Sequence, residues 1–351
     1  MNSSNNKFKR VPAIPLTIAL VILGVVSIVA SLTFGAERIP IDQVVEVVQA
    51  RLFSHPISSP FDTIVWELRL PRALLAVIVG AGLSVAGTGM QTLVQNPLAD
   101  PYLLGISSGA SVGATAVIVL GAFGNFGVWA LSVGALVGAL CAAAAVFFIA
   151  QAQGGLTPLR MVLAGVVMSS AFSAIASFMV FMSHDQRAAN SVMFWMLGSV
   201  AGATWSKLLI PVIALVLVVA GLMMISSWMD ALMAGPATAA ALGLRVGALR
   251  IGLFIALCTL IGVLVAVSGG IGFVGLIVPH AVRMLVGALH ARVIPVAAAG
   301  GAVFLLWVDV ASRVLARPQE IPLGVVTGVV GAPLFLFLMG RRNYAFGSRD
   351  A

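Results

Sequence analysis

Gly270-Ile-Gly272-Phe-Val-Gly275 has the glycine spacing of a loop that cradles a dinucleotide pyrophosphate, the nearest this chain comes to a cofactor motif. Its context is wrong. A strand should precede the glycines and an acid should follow about 20 residues on; an apolar run precedes them here and no acid follows at that distance. The glycines therefore read as a break in an apolar helix near the outer surface. A second interruption follows at Pro279, in Leu276-Ile-Val-Pro279-His280-Ala-Val-Arg283.

Ionisable side chains within apolar runs default to a functional reading, and His280, Asp309 and Asp100 qualify. A proton relay needs several such groups in register, and few are present. His280 follows Pro279, so a structural hydrogen bond also accounts for it, and Asp309 stands four residues before Arg313, the spacing of an ordinary helical ion pair. Arg69 and Arg72 flank Pro71 and share one helix face. Cations at a helix start oppose its dipole. They either snorkel to lipid headgroups or, with Arg313, form a basic patch for an acidic partner. Cys141 and Cys258 lie inside apolar runs and read as small buried hydrophobes, with neither a disulfide nor a metal site expected. No nucleophile–base pair, metal-ligand cluster or catalytic carboxylate pair appears, so the chain does not read as an enzyme.

The elements that must position these residues are membrane helices. Hydrophobic residues make up 61% of the chain and charged residues 9%, against roughly 25% charged in soluble domains. The net charge of +8 sits at the ends of apolar runs, which fits membrane topology and not nucleic acid. Lys7, Lys9 and Arg10 precede an apolar run over residues 13–34, longer than the ~7–15 residues of a signal sequence. It is read as a retained first helix. A span takes about 20 apolar residues, and ten candidates emerge: 14–34, 73–94, 102–122, 127–150, 161–182, 208–228, 249–268, 273–289, 294–312 and 321–340. With both termini cytoplasmic, Arg160, Arg245, Arg250, Arg283, Arg292, Arg341, Arg342 and Arg349 join the N-terminal cations inside, while Arg38, Arg51, Arg187, Lys207 and Arg317 join the three patch arginines outside.

One domain is expected over residues 1–351, with an outer loop at 35–68 and an inner loop at 227–248. The outer loop contains Pro40, Pro56 and Pro60 and a short amphipathic helix at Ile41–Phe53; the inner loop carries a surface helix opened by Pro236 and closed by Gly243. Glycines such as Gly80, Gly87, Gly134, Gly138 and Gly328 permit close helix packing, and some of them would widen a path for a bulky solute.

Residues 69–111 hold the densest signals: Arg69-Leu-Pro-Arg72, then Met90-Gln91, then Asn96-Pro97-Leu-Ala-Asp100-Pro101, then Gly105-Ile-Ser107-Ser108-Gly-Ala-Ser111. Broken polar backbone at membrane depth is tolerated only when buried in protein or lining a cavity, so this stretch reads as a pathway. It resembles the signature of the FecCD/BtuC-like permeases of bacterial ABC importers, which take up ferric siderophores, heme and cobalamin. Phe194-Trp-Met-Leu-Gly-Ser, Gly270–Arg283, Asp309-Val-Ala-Ser-Arg313 and Glu320–Pro333 match further family motifs in order.

The resemblance implies an all-α, type II ABC importer permease fold of about ten helices in the cytoplasmic (inner) membrane of a bacterium. It also implies a two-fold dimer, two ATPase subunits that bind ATP and Mg, and an extracytoplasmic binding protein; the permease itself holds no cofactor. Under it, Arg69, Arg72 and Arg313 dock the binding protein. Gln91, Asn96, Pro97, Asp100, Ser107, Ser108 and Ser111 shape the translocation path. Met229, Asp230, Ala237, Thr238, Leu242 and Gly243 belong to the ATPase-coupling loop. Asp230 is the single carboxylate of that loop, so an apolar contact is expected there. Ferric siderophore is the expected cargo, with heme and cobalamin as alternatives. The methionines at 161, 168, 179, 182, 193 and 196 suit either a flat apolar ligand or simple packing. A proton-coupled transporter using Asp309 and His280 is the rival of another class.

Overall fold

A computed structural model describes residues 10–35, 37–53 and 59–340; Lys7, Lys9, Pro56, Arg341, Arg342 and Arg349 lie outside the described residues. The helices are α1 Ala13–Ser31, α2 Ile41–Phe53, α3 Leu70–Leu93, α4 Ile106–Leu120, α5 Ala130–Ala152, α6 Pro158–Met182, α7 Gln186–Met196, α8 Trp205–Met224, α9 Ser226–Met233, α10 Pro236–Ala241, α11 Val246–Ser268, α12 Val274–Val286, α13 His290–Val314 and α14 Leu323–Gly340. Among the described residues, 7 helical stretches are long and apolar enough to span a membrane, and α4, α12 and Leu323–Phe337 are shorter apolar helices. Together they occupy the ten expected positions. The largest difference is at α3, which a π-helical turn at Ile64–Arg69 extends backwards.

Helix α3 is the axis of the bundle, with nearly every residue from Leu75 to Leu93 buried. Its small residues are what permit this. A Cβ on Gly80 would overlap the carbonyl oxygen of Gly301 in α13, and one on Gly87 would overlap that of Gly275 in α12. Such backbone contact substitutes for the hydrophobic drive that lipid does not supply. The α4–α5 pair uses the same device, Gly109 against Gly138 and Gly113 against Gly134. Helices α1, α6 and α8 instead turn large apolar side chains outward, among them Ile22, Phe178 and Leu217, as lipid-facing spans do.

Three expectations need correction. The inner loop forms two helices, because Gly235 at φ +122° separates α9 from α10. Pro236 opens α10 and Gly243, at φ +81° just past the last helical residues, closes it, both as expected. Cys141 is exposed and Cys258 buried, since Cys141 shares the outward apolar face of α5 with Leu140 and Phe148. Helix α7 was not expected at all. Its start is capped by Asp185, whose carboxylate accepts the Arg187 N–H at 2.8 Å.

Candidate functional site

The 24 residues of α3 rise about 1.5 Å each, so Leu83 lies near its midpoint. Gly275, at the start of α12, packs against the Leu83 carbonyl and against Pro101. The chain therefore leaves α3 at Leu93, turns back through residues 94–100 and arrives beside the middle of α3. There a 3-10 turn, Pro101–Leu104, leads into α4. Helix α11 likewise ends at Ser268 and gives way to non-helical backbone before α12. Helices α4 and α12, of 15 and 13 residues, are short because both begin at mid-depth.

The two breaks are fastened to each other. The Tyr102 hydroxyl accepts the Ile271 N–H at 3.0 Å. The Asp100 carboxylate accepts the Tyr102 N–H at 2.8 Å and also the Phe273 N–H. Asp100 thereby caps the turn before α4 and holds the residue preceding α12. Gly105 at φ +72° and Gly269 at φ +66° supply the left-handed backbone of the two turns. Half-helix N-termini at mid-depth place partial positive charge inside the bundle.

The expected path residues divide around this junction. Ser107 and Ser108 are half-exposed; the Ser108 hydroxyl lies 2.8 Å from that of Ser169 on α6. Ser111 is buried and donates to the Ser107 carbonyl at 2.9 Å. Asn96 is exposed and accepts the Leu98 N–H at 2.9 Å, with Pro97 half-buried beside it. Gln91 is wholly buried and accepts from Arg283, so it stands behind the break and away from any open surface. An open apolar groove of about 460 Å³ runs between α6 and α7, lined by Val180, Phe181, Met193 and Met196 among others. Met161, by contrast, is core. Changing Tyr102 to Phe strands the Ile271 N–H and is expected to cost about 1–3 kcal/mol, read as lower thermal stability in detergent.

The three arginines of the predicted patch meet at one end of the bundle, and they face inward. Arg69 is 9% exposed and donates to the carbonyls of Leu32 at 2.6 Å and Glu37 at 2.7 Å. Asp309, fully buried, is shared by Arg72 at 2.9 Å and Arg313 at 2.9 Å. The pairing with Arg313 is the i,i+4 contact anticipated from the spacing. Arg72 also reaches Glu320 at 2.7 Å, and Arg313 the Phe34 carbonyl at 2.8 Å. Fixed between two guanidinium groups, Asp309 is held as their buried counter-ion. Arg38 and Arg317 are exposed, and Arg317 is close enough to Arg69 to act on it electrostatically.

At the opposite end, α9 buries Met229 and Leu232, while Ala237, Thr238, Leu242 and Gly243 are exposed on and after α10. Asp230 turns inward: its Oδ1 accepts the His290 backbone N–H at 2.9 Å and lies 2.5 Å from the ring Nδ1. The sequence reading missed His290, Gln95 and Arg250. Their signals were a histidine opening an apolar run, a glutamine next to the Asn-Pro break and an arginine within the first turns of α11.

Residues 21–341 match the FecCD transport family. The chain belongs to that family. It is 40% identical over 284 residues to the hemin transport system permease HmuU of Yersinia pestis, covering 80% of this chain and 84% of that one. It is 33% identical over 316 residues to the molybdate import system permease MolB of Haemophilus influenzae, covering 90% and 92%. Among solved structures it superposes with a TM-score of 0.82 and 32% identity on an inward-facing metal-chelate type ABC transporter, over 93% of this chain and 99% of that one.

As a FecCD-family ABC importer permease, the protein is an integral inner-membrane subunit, and its mid-depth junction acquires a context. The breaks that precede the half-helices α4 and α12 are irregular backbone held in place by protein and not by lipid.

Proposed function

We propose that this permease is the transmembrane subunit of an ATP-driven importer that carries a ferric siderophore across the cytoplasmic membrane of a bacterium. The observation that carries the reading is the junction of two half-helices at mid-depth, fastened through Tyr102 and Asp100 beside the half-exposed Ser107 and Ser108. The metal-chelate type transporter on which the chain superposes supports an iron chelate as cargo. Heme is the second reading, favoured by the identity to HmuU.

In this account two copies of the chain enclose the path, and two ATPase subunits, binding ATP and Mg, press on the loop at α9 and α10. The exposed Ala237, Thr238 and Leu242 make that contact apolar. A binding protein delivers the solute at the arginine end, and both termini lie on the ATPase side. Docking falls chiefly on Arg72, whose outer partner Glu320 keeps 46% of its side chain exposed, so an acid of the binding protein can take the place of Glu320. Arg38 and Arg317 extend the positive surface. Glu320→Gln is therefore expected to raise affinity for the binding protein severalfold; an unchanged or weaker affinity counts against docking at Arg72.

Cargo is tested in a strain lacking this gene, with and without its restoration, using radiolabelled ferric siderophores, heme, cobalamin and molybdate. Restored uptake of a ferric siderophore alone supports the proposal. Restored uptake of heme alone replaces it with the second reading, and of cobalamin or molybdate alone contradicts both.

A further inference from the structure

Two polar side chains join the α9 end of the bundle to the break. The His290 ring is buried, with its residue 1% exposed, and it is bonded on both sides. Nδ1 faces Asp230 of α9 at 2.5 Å, and Nε2 lies 2.6 Å from the hydroxyl of Thr92 in the last turn of α3. Thr92 donates on to the Thr88 carbonyl at 3.0 Å, so the contact enters the hydrogen-bond ladder of the central helix.

Three residues further along, Gln95 begins the break in left-handed backbone at φ +54°. That conformation is unfavourable for a residue with a side chain unless its surroundings hold it, and both ends of this side chain are held. Its Nε2 donates to the Leu232 carbonyl of α9 at 2.8 Å, and its Oε1 accepts from Arg250 of α11 at 3.3 Å. Arg250 in turn donates to the Leu156 carbonyl at 3.3 Å. Helix α9 is thus linked through His290 to the foot of α3 and bonded directly to Gln95 near the start of the break, while its own Met229 and Leu232 are packed into the core.

We propose that His290 and Gln95 form a latch through which displacement of the α9–α10 loop is carried to the half-helices at mid-depth. This rests on the reading of that loop as the ATPase contact. Hydrogen bonds at both ends of a rigid imidazole transmit position in a way that packing of flexible apolar side chains does not. His290 and Gln95 are positioning residues: they touch no solute, and they act on the backbone that does.

The imidazole can be cut one side at a time. His290→Asn keeps an N–H near the Nδ1 position for Asp230 and loses Thr92. His290→Gln reaches toward Thr92 and loses the ring contact with Asp230, leaving only the backbone N–H of residue 290 on that carboxylate. Thr92→Val removes the hydroxyl at nearly constant volume, and Thr92→Ser restores it. Each is made in the full complex with the ATPase, together with Ser107→Cys and with Cys141 and Cys258 replaced by alanine. Two quantities are read: ATP hydrolysis, and the change in Ser107→Cys labelling by a membrane-impermeant maleimide on adding ATP and vanadate.

With the latch intact, labelling is expected to change by about fivefold or more, the lower range of allosteric couplings. In His290→Asn, His290→Gln and Thr92→Val hydrolysis persists while the labelling change falls below about twofold. Thr92→Ser recovers it. A purely structural role would lower hydrolysis and labelling together and would not separate them. An ATP-driven labelling change that survives in all three variants overturns the latch. Absence of any change with the latch intact overturns the transport reading beneath it, so the two failures are distinguishable.

Discussion

Asp309→Ala is expected to destabilise the folded chain by about 3–5 kcal/mol, the usual consequence of removing one member of a buried charge cluster. The carboxylate is fully buried, and two guanidinium groups depend on it, those of Arg72 and Arg313. Without it both cations remain in a desolvated pocket, with Arg72 left to Glu320 and Arg313 to backbone carbonyls. Asp309→Asn keeps the shape and one acceptor oxygen and should cost less, though the charge balance is lost. Glu320→Gln is the control: its partly solvated pair with Arg72 is worth about 0–1 kcal/mol. Thermal unfolding of the purified permease in one detergent measures all three, and the expected order of loss is Asp309→Ala, then Asp309→Asn, then Glu320→Gln. Equal stability of Asp309→Ala and the parent would mean that the cluster is not closed in the folded protein.

The second large effect is expected at Gly87. A Cβ there would overlap the carbonyl oxygen and carbon of Gly275, backbone atoms that cannot rotate aside. Alanine must push α12 away from α3 at about 1–3 kcal/mol, the usual cost of overpacking. Because Gly275 also packs on Pro101, the shift reaches the junction of the two breaks. Transport should therefore fall further than stability does. Gly252→Ala in α11 is the matched control, since a Cβ there meets nothing within 4 Å. Near-parental uptake by Gly87→Ala would show that the crossing is looser than described.

Much of the bundle was legible in the sequence because long apolar runs announce themselves by length, and Gly and Pro mark where they stop. Gly270–Gly275 and Asn96–Pro101 were both read as breaks, and both hold one, non-helical over residues 269–273 and 94–100; the first, expected near the outer surface, instead lies beside the middle of α3, where Gly275 packs on the Leu83 carbonyl. The sequence does not reveal that the two breaks touch. That contact depends on which glycines of α3 face α12 and α13, information that resides in the register of packed helices. The arginines were legible as a group, and their inward orientation was not: Arg69 is satisfied by the backbone carbonyls of Leu32 and Glu37, and carbonyls leave no trace in residue identity. The latch residues were missed for a similar reason. His290 and Asp230 stand 60 residues apart, and no local pattern joins them.

The most direct test of the account is the energy source. The complex of this permease with its ATPase and binding protein is reconstituted into vesicles, and uptake of a radiolabelled ferric siderophore is followed under two conditions: ATP supplied without a proton gradient, and a proton gradient without ATP. ATP-driven import predicts uptake with ATP alone and none with the gradient alone. Uptake driven by the gradient in the absence of ATP would contradict it.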